Sequence, residues 1–339
     1  MNTAPQQSPT LSLVVPMFNE EETVPVFYRR AVAALETTGV PFELVFVDDG
    51  SRDGTFEALR SIATQDPRVK VVRFSRNFGH QTAVTAGLHY ARGAAVAVID
   101  GDLQDPPEFV PRLFEKWREG YEVVYAVRRT RKEHALKRAA YRVFYRLLRR
   151  LSYVDIPLDA GDFAIMDRRV VDELNAMPER NRFVRGIRAW VGFRQVGLEY
   201  DREPRFAGES KYPLSKLLKL AYDGVISYSF VPLRMVTHLG FVISLTAFAL
   251  VLYLVALRIL YGERLITGWT STVVVILFLG GIQLLSLGIL GEYVGRIFDE
   301  VKRRPLYVVR ETIGLEPAAA KWRTELSEEA PAVRAARGA

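Results

Sequence analysis

Two acidic pairs follow apolar runs of the sequence and could bind a divalent metal ion. Asp100 and Asp102 come directly after one such run, and Asp48 and Asp49 come directly after another. Carboxylate oxygens are the ligands that hard divalent cations prefer. Because open α/β sheets bind ligands at the carboxyl ends of their strands, two acidic strand ends suggest one site. Ordinary turns after strands are the alternative explanation for these acidic residues.

Short β-rich runs place these acidic residues at the ends of predicted strands. The runs are Leu11–Phe18, Phe42–Val47, Val69–Phe74, Ala94–Asp100 and Glu122–Val127. The stretches between the first four runs have helical periodicity, and this alternation predicts an α/β domain with a mostly parallel sheet. The first run is not followed by a G-x-G-x-x-G turn, which argues against a dinucleotide cofactor.

Composition excludes several classes of protein. With 339 residues, of which 49% are hydrophobic, the chain can form a full core and more than one domain. It contains no cysteine, so disulfides, thiolate metal sites and a cysteine nucleophile are excluded. Residues 1–10 lack the basic and apolar regions of a secretory signal, which predicts a disordered N-terminus on the cytosolic side.

The positive charge of the chain is concentrated in one segment, which argues against nucleic-acid binding. The net charge is +7, but residues 128–150 alone carry +9, so the rest of the chain sums to −2. In this segment arginines recur every four residues beside an apolar stripe, as in a basic amphipathic helix. Such a helix binds an anionic membrane surface, or it is the solvated face of an ordinary packed helix.

Two long uncharged stretches predict two transmembrane helices. Residues 239–257 and 265–291 contain no charged residue, and each stretch exceeds the roughly 18 residues that indicate a membrane span. A buried hairpin is the alternative. Lysines and arginines flank the pair on its outer sides, so the positive-inside rule places both flanks in the cytoplasm and the short connection on the outside. An apolar stripe that begins after Pro213 predicts an interfacial helix before the first span.

Four motifs follow one another along the chain: Val14–Glu21, Val47–Thr55, Asp100–Pro107 and Arg205–Tyr212. In this order they resemble the family 2 glycosyltransferases, and more narrowly the polyprenyl-phosphate glycosyltransferases, the group that contains dolichol-phosphate mannose synthase and the bactoprenol glucosyltransferases. The resemblance covers about residues 10–310. It implies a Rossmann-like GT-A domain that transfers a sugar from a nucleotide sugar to a lipid phosphate, with inversion and with a divalent metal, Mg or Mn.

The resemblance also fixes the predicted domain order. An N-terminus of residues 1–10 precedes a GT-A domain of residues 11–212. The remaining segments are an interfacial helix (213–233), a two-helix transmembrane domain (234–298), a cytoplasmic segment (299–315) and a disordered tail (316–339). The expected location is therefore the cytoplasmic (inner) membrane, as a multi-pass protein.

The resemblance implies a donor site along the predicted strand ends. The residues that it places at the nucleotide sugar are Pro16, Glu20, Asp48, Asp49, Asp100 and Lys211, and those at the metal are Asp100, Asp102 and Gln104. Cleavage of a sugar-diphosphate bond leaves negative charge on the diphosphate, which a cation and basic side chains stabilise. By resemblance Arg205 and Lys211 supply that basic pair, with Asp102 and Arg205 counted as catalytic. An anchoring role beside the membrane is the alternative for Arg205 and Lys211.

On the acceptor side, the resemblance implies that Arg128 and Arg138 bind the lipid phosphate and that Asp162 lies near the reacting centre. A phosphate monoester with a second pKa of about 6 is largely ionised at neutral pH, so a strong base is not required. We therefore expect Asp162 to position the acceptor or its cationic partners. General-base catalysis and a loop-capping role are the alternatives for Asp162.

Two other functions fit parts of the sequence. One is a membrane-anchored, non-catalytic scaffold that binds nucleotide sugars, although the intact metal motif favours an enzyme. The other is a processive polysaccharide synthase, which would show a Q-x-x-R-W segment and more spans, whereas residues 185–190 do not fit that pattern. The expected substrates are UDP-glucose and undecaprenyl phosphate, with UDP-N-acetylhexosamine, a modified UDP-pentose or GDP-mannose as other donors. The oligomeric state stays open, a homo-oligomer included.

Overall fold

The computed structural model describes residues 9–129, 160–180, 182–202, 231–261 and 268–315. The chain divides into two units, an α/β unit that includes residues 305–315 and a unit that contains two long helices. The strands of the α/β unit are β1 (Leu11–Met17), β2 (Phe42–Asp48), β3 (Val69–Phe74), β4 (Ala95–Val98), β5 (Val123–Arg128), β6 (Ala160–Asp167), β7 (Gln195–Tyr200) and β8 (Val309–Ile313). Its helices are α1 (Val24–Glu36), α2 (Thr55–Gln65), α3 (His80–Tyr90), α4 (Val110–Arg118), α5 (Arg168–Ala176) and α6 (Val184–Trp190).

The strands form one mixed sheet in the order β7-β5-β6-β4-β1-β2-β3-β8. Strands β4, β1, β2 and β3 are parallel neighbours, whereas β6 runs antiparallel between β4 and β5, and β8 runs antiparallel to β3. The predicted α/β class, the mostly parallel sheet and the first five strands are confirmed. The sequence analysis did not predict β6, β7 and β8.

Helices cover both faces of the sheet, which explains why its central strands are almost wholly apolar. Every residue of β1, β2 and β4 is buried. Alternate residues of β1 point to opposite faces, so that Leu13 packs with α1 and α4 while Val14 packs with α3 and α6. Parallel strands that are covered on both sides read as continuous hydrophobic runs, as observed here.

Strand direction determines which residues can meet at one edge of the sheet. The carboxyl ends of β1, β2 and β4 lie together, as the pairing of Met17 with Asp48 shows. Because β6 is antiparallel to β4, its first residues lie at that same edge, beyond the pair formed by Val98 and Ala164. Strands β5 and β7 run parallel to β4, so that Arg128 and Tyr200 also end there. We call this edge the acidic edge, after Asp48, Asp49, Asp100, Asp102 and Asp162 near it.

The second unit contains the helices α7 (Val231–Tyr261) and α8 (Trp269–Val301). In α8, the segment Phe278–Val301 has 24 residues and a mean hydropathy of 1.3, which is long and apolar enough to cross a membrane. The apolar segment of α7, Val236–Leu250, is shorter. One of the two predicted spans therefore has a candidate among the described helices, and the two-span topology stays a prediction. The predicted basic helix, nearly all of the interfacial helix and the tail lie outside the described residues.

The close packing of α3 on β1 makes a testable prediction at Gly87. A Cβ atom at Gly87 would overlap the Cγ1 methyl of Val14. A Gly→Ala change inside a helix usually stabilises it by about 1 kcal/mol. Here we expect Gly87→Ala to lower the free energy of unfolding by about 1–3 kcal/mol, because the added methyl overpacks the core. Thermal unfolding of the purified full chain in detergent measures the change.

The double variant provides the control for this prediction. Val14→Ala removes the overlapping methyl, so adding Gly87→Ala to Val14→Ala should cost nothing further. An equal loss from Gly87→Ala in both backgrounds would contradict the packing of α3 against β1.

Candidate active site

Asp48 lies at the end of β2 with its carboxylate fully buried. Its Oδ1 accepts a hydrogen bond of 2.9 Å from the backbone N–H of Ser51. Its Oδ2 accepts no hydrogen bond from the described residues and lies 3.4 Å from Nε of Arg73. Burial raises the pKa of Asp48 above its ordinary value. A buried acceptor with unused capacity at a strand end is suited to an N–H donor of a bound ligand.

Asp49 fixes the loop that leads into α3. Its two carboxylate oxygens accept hydrogen bonds from the backbone N–H groups of Phe78 (2.6 Å) and Gly79 (3.0 Å). Gly79 has a φ of 100°, which favours glycine at this point of the loop. Asp49 therefore positions the first residues of α3, and its predicted contact with the nucleotide stays a prediction.

The loops after β1 and β2 are joined by hydrogen bonds beside Pro16 and Asp48. The backbone N–H of Glu20 donates to Oγ1 of Thr55 (2.8 Å), and the Glu20 carboxylate accepts from Oγ1 of Thr23 (2.7 Å). The backbone N–H of Asn19 donates to Oγ of Ser51 (3.0 Å). These contacts place Pro16 and Glu20 next to Asp48, so the structure brings together three residues that the resemblance assigns to the nucleotide.

Asp162, at the start of β6, is a buried carboxylate surrounded by donors. Nε and Nη2 of Arg185 lie 2.8 and 3.0 Å from its two oxygens. Oδ2 also accepts from Nε2 of Gln81 (2.9 Å) and from Nε2 of His80 (3.2 Å). Burial alone would raise the pKa of Asp162, but the charge of Arg185 and the hydrogen bonds of Arg185 and His80 hold it far below its usual range. Asp162 is therefore a poor proton acceptor at neutral pH.

His80 connects Asp162 to Asp100. Its Nε2 lies 3.5 Å from Oδ1 of Asp100, and that oxygen is buried without a hydrogen bond from the described part of the chain. Although burial disfavours its charge, the hydrogen bond to Asp162 and the charges of both aspartates raise the pKa of His80 to about 9. Burial raises the pKa of Asp100 to about 6. A positive charge at His80 therefore lies between two carboxylates.

A local hydrogen bond holds the turn after Asp100. Oδ1 of Asp102 accepts a hydrogen bond of 3.1 Å from the backbone N–H of Gln104, and Leu103 has a φ of 58°. A Cβ atom at Gly101 would overlap the Sδ atom of Met17, so a larger residue there would require the Met17 side chain to shift.

The predicted metal ligands fit a cation that is held jointly by the protein and by substrate phosphates better than a cation that is held by protein side chains alone. Among the described residues, no three His, Asp or Glu side chains are grouped so that they could hold a metal ion. Asp100, Asp102 and Gln104 provide oxygen ligands from two carboxylates and an amide. The observation that favours a cation is the buried Oδ1 of Asp100, which accepts no hydrogen bond from the described residues. Mg²⁺ is typically held by one or two carboxylates together with substrate phosphates, which matches this donor set.

A second hydrogen-bonded network holds Arg128 at the end of β5. Nε of Arg128 donates to the hydroxyl of Tyr200 (3.3 Å), and that hydroxyl donates to the buried carboxylate of Asp105. Nε of Arg202 lies 3.3 Å from the same carboxylate. Arg128 is therefore fixed at the acidic edge, near Asp162. The other predicted basic residues, Arg138, Arg205 and Lys211, lie outside the described residues.

Three residues of this site were not predicted from the sequence. His80 and Gln81 open α3 after a strand whose end carries no acidic pair, and nothing in the spacing of Arg185 distinguishes it from the other arginines. One weak sequence signal points to His80. It is the first residue of α3, which follows β3, and β3 ends at the same edge of the sheet as β2. Only the fold shows that all three side chains converge on Asp162.

Comparisons with known proteins find similar glycosyltransferases that align with most of the chain. The profile of Glycosyl transferase family 2 matches residues 12–174. An uncharacterized glycosyltransferase of Bacillus subtilis (strain 168), YkcC, is 50% identical over 306 residues, which cover 90% of this chain and 94% of that protein. The bactoprenol glucosyl transferase of Shigella phage SfII is 43% identical over 303 residues, covering 89% and 98%.

Among solved structures, similarity is low. Glucosyl-3-phosphoglycerate synthase from Mycobacterium tuberculosis, in complex with Mn²⁺, UDP and phosphoglyceric acid, matches with a TM-score of 0.42 and 22% identity. The match covers 64% of this chain and 76% of that one.

The ion pair of Asp162 predicts a characteristic dependence of stability on pH. Asp162→Asn should lower the free energy of unfolding by about 1–3 kcal/mol at pH 7, because it removes the charge that compensates the partly exposed side chains of Arg185 and His80. Since the folded-state pKa of Asp162 lies below the unfolded value of about 3.9, its contribution is complete above that value and is lost progressively as the pH falls from there through the folded-state pKa. The difference between wild type and variant should therefore not decrease from about pH 7 to 5, where protonation of His80 adds to the stability of wild type, and it should narrow below about pH 4.

Denaturant unfolding of both proteins at each pH, in chelator, measures this difference. A difference that already disappears between pH 6 and 5 would show that Asp162 has an ordinary or raised pKa.

Proposed function

The chain belongs to glycosyl transferase family 2, and we propose that it transfers a sugar from a nucleotide sugar to a polyprenyl phosphate at the cytoplasmic face of a membrane. The observation that carries the proposal is the acidic edge. There the buried oxygens of Asp48 and Asp100, which accept no hydrogen bond from the described residues, lie at the same edge of the sheet as the Asp162–Arg185 pair. A nucleotide, a cation and an anionic acceptor each find a complementary group at this edge.

The donor would bind across β1, β2 and β4. The unused Oδ2 of Asp48 suits an N–H group of the base, beside Pro16 and Glu20. Asp100, Asp102 and Gln104 would hold a divalent cation against the diphosphate, and that cation would neutralise the charge that develops on the leaving group. The relatives named bactoprenol glucosyl transferases make UDP-glucose the first donor to test.

The acceptor would react as a nucleophile that is already ionised. One phosphate oxygen attacks the anomeric carbon and forms a new C–O bond with it. The C–O bond between the anomeric carbon and the diphosphate breaks, and its electron pair leaves with the diphosphate. A single displacement of this kind inverts the anomeric centre. Asp162 does not serve as the base in this scheme, because Arg185 and His80 hold it as an anion. It positions cations beside the acceptor instead.

The membrane assignment rests on different observations. The relatives that align over nearly the whole chain include proteins named for bactoprenol, a lipid. The segment Phe278–Val301 of α8 is apolar and long enough to cross a bilayer. A second span formed by α7 and a cytoplasmic catalytic unit complete the proposed topology.

The two rival functions make different demands on the site. A scaffold has no use for a buried carboxylate oxygen at Asp100 that accepts no hydrogen bond from the described residues. A processive synthase would use a Q-x-x-R-W helix at the acceptor, whereas here Arg185 in α6 is held by the side chain of Asp162. Both observations favour single transfer.

A direct assay tests the proposal. The purified full chain is incubated with undecaprenyl phosphate, Mg²⁺ or Mn²⁺ and one radiolabelled donor at a time from UDP-glucose, UDP-N-acetylhexosamine, a UDP-pentose and GDP-mannose. We expect label from one donor in the lipid phase. Absence of label from every donor would contradict the proposed reaction, and product of increasing length would indicate a processive synthase.

Loss of one predicted metal ligand should abolish transfer. We expect Asp102→Asn to lower the transfer rate by at least about 100-fold, because the cation loses charge and geometry at the diphosphate. The matched control is Asp201→Asn, which changes an exposed aspartate paired with Arg129 at the end of β7 and should keep wild-type activity. Full activity of Asp102→Asn, or of wild type in chelator, would refute the metal assignment.

The pH profile separates positioning from base catalysis at Asp162. The ascending limb of the transfer rate should lie near pH 6, since it reports ionisation of the acceptor phosphate. Asp162→Asn should lower the rate and keep this limb, when donor and metal are saturating. If the limb is absent in the variant but present in wild type, Asp162 is the base.

A further inference from the structure

Three guanidinium groups surround the first residues of β6. Arg185 binds the Asp162 carboxylate through two nitrogens. Nη2 of Arg188 donates to the carbonyl of Gly161 (3.4 Å), and Nη2 of Arg128 lies 3.4 Å from the position of a Cβ atom at Gly161. We call Arg128, Arg185 and Arg188 the arginine cluster. Two of its members lie one helical turn apart on α6, and the third ends β5.

Arg188 is the unusual member, because it is buried and no carboxylate of the described residues lies at ion-pair distance from it. Its relative exposure is 2%. Its guanidinium makes one long hydrogen bond within the described ranges, to Gly161, and lies 5.6 Å from the ring centroid of Tyr125. Burial lowers the pKa of Arg188 to about 10 against the opposing charge of Asp162, which leaves it charged at neutral pH. A buried charge without a close partner is costly, and a bound anion would offset that cost.

The charge balance of the cluster identifies the kind of ligand. Asp162 supplies one negative charge and already binds Arg185 through both oxygens. Asp105 reaches Arg128 only through the hydroxyl of Tyr200 and is itself paired with Arg202. The cluster therefore keeps an excess of positive charge close to two. A phosphate monoester carries −1.5 to −2 at pH 7 and offers three acceptor oxygens to planar guanidinium groups.

We propose that Arg188, together with Arg185 and Arg128, binds the phosphate of the acceptor. This inference rests on the proposed function and extends it to two arginines of α6. Asp162 then keeps the guanidinium group of Arg185 in a fixed orientation. This is the physical basis of the positioning role of Asp162. His80 connects Asp162 to Asp100, so a phosphate on the cluster lies next to the predicted cation and donor diphosphate. That arrangement brings nucleophile and anomeric carbon together.

Steady-state kinetics of Arg188→Gln tests the inference. The KM for undecaprenyl phosphate should rise by about tenfold or more, because a buried charge-assisted contact to phosphate is lost. The KM for the nucleotide sugar should change less than about twofold, since the donor contacts lie elsewhere. Arg188→Lys keeps the charge and should lie between wild type and Arg188→Gln.

The matched control is Arg129→Gln. Arg129 follows β5 directly, but its side chain is 55% exposed and pairs with Glu199 and Asp201 at the surface. This variant should leave both KM values unchanged. A rise in the donor KM of Arg188→Gln would show that the cluster binds the diphosphate, and unchanged values for both substrates would show that Arg188 is structural. Either result overturns the inference.

Thermal unfolding supplies a readout that does not depend on turnover. Without substrate, Arg188→Gln should melt at or above the wild-type temperature, because it removes an uncompensated buried charge. A short-chain polyprenyl phosphate should stabilise wild type and fail to stabilise the variant, whereas UDP with metal should stabilise both. A variant that melts well below wild type and still gains stability from the lipid phosphate would refute the site.

These measurements also separate the inference from the proposed function. If wild type transfers sugar and Arg188→Gln leaves the KM for the acceptor unchanged, the inference alone is wrong. If wild type transfers nothing but the lipid phosphate stabilises it through Arg188, the phosphate site stands and the proposed reaction is wrong.

Discussion

The buried carboxylate of Asp162 is the interaction on which the arrangement of the site depends. A carboxylate removed from water must be compensated, and three separate elements provide its partners. Helix α3 supplies His80 and Gln81, α6 supplies Arg185, and β6 supplies the carboxylate itself. The two helices also share the buried apolar cluster that contains Leu88 and Ile187. The ion pair and the hydrogen bonds to Asp162 add polar contacts between them at the edge of the sheet.

Strand direction is the second constraint. A parallel sheet gathers the carboxyl ends of its strands at one edge, which brings Asp48 and Asp100 together. The reversal at β6 adds an amino-terminal strand end to the same edge, and Asp162 comes with it. Donor and acceptor groups thus come from strands that run in opposite directions. A fully parallel sheet would place Asp162 at the far edge, away from the predicted metal ligands.

The sequence predicts the part of this site that follows from local rules. The apolar runs that end in Asp48 and Asp100 predict both the strands and the acidic edge. A buried parallel strand and the turn that ends it can each be recognised from the local sequence. The convergence of His80, Gln81 and Arg185 on Asp162 has no such signature. It depends on the place of β6 in the sheet, which is set by long-range pairing. Strand β8 was missed for the same reason, since it pairs with β3 across more than two hundred residues of sequence.

Helix α3 links the two halves of the site. Its first turn is fixed from one side by Asp49, which accepts the backbone N–H groups of Phe78 and Gly79, and from the other side by Asp162. Near its other end, Nδ1 of His89 lies 3.0 Å from the hydroxyl of Tyr307, and burial lowers the pKa of His89 to about 4. A neutral imidazole there can hydrogen-bond to the tyrosine hydroxyl, so no buried charge opposes the packing. The helix that carries His80 is thus held at both ends by polar contacts. It links Asp49, on the proposed nucleotide side of the site, to Asp162, on the proposed acceptor side.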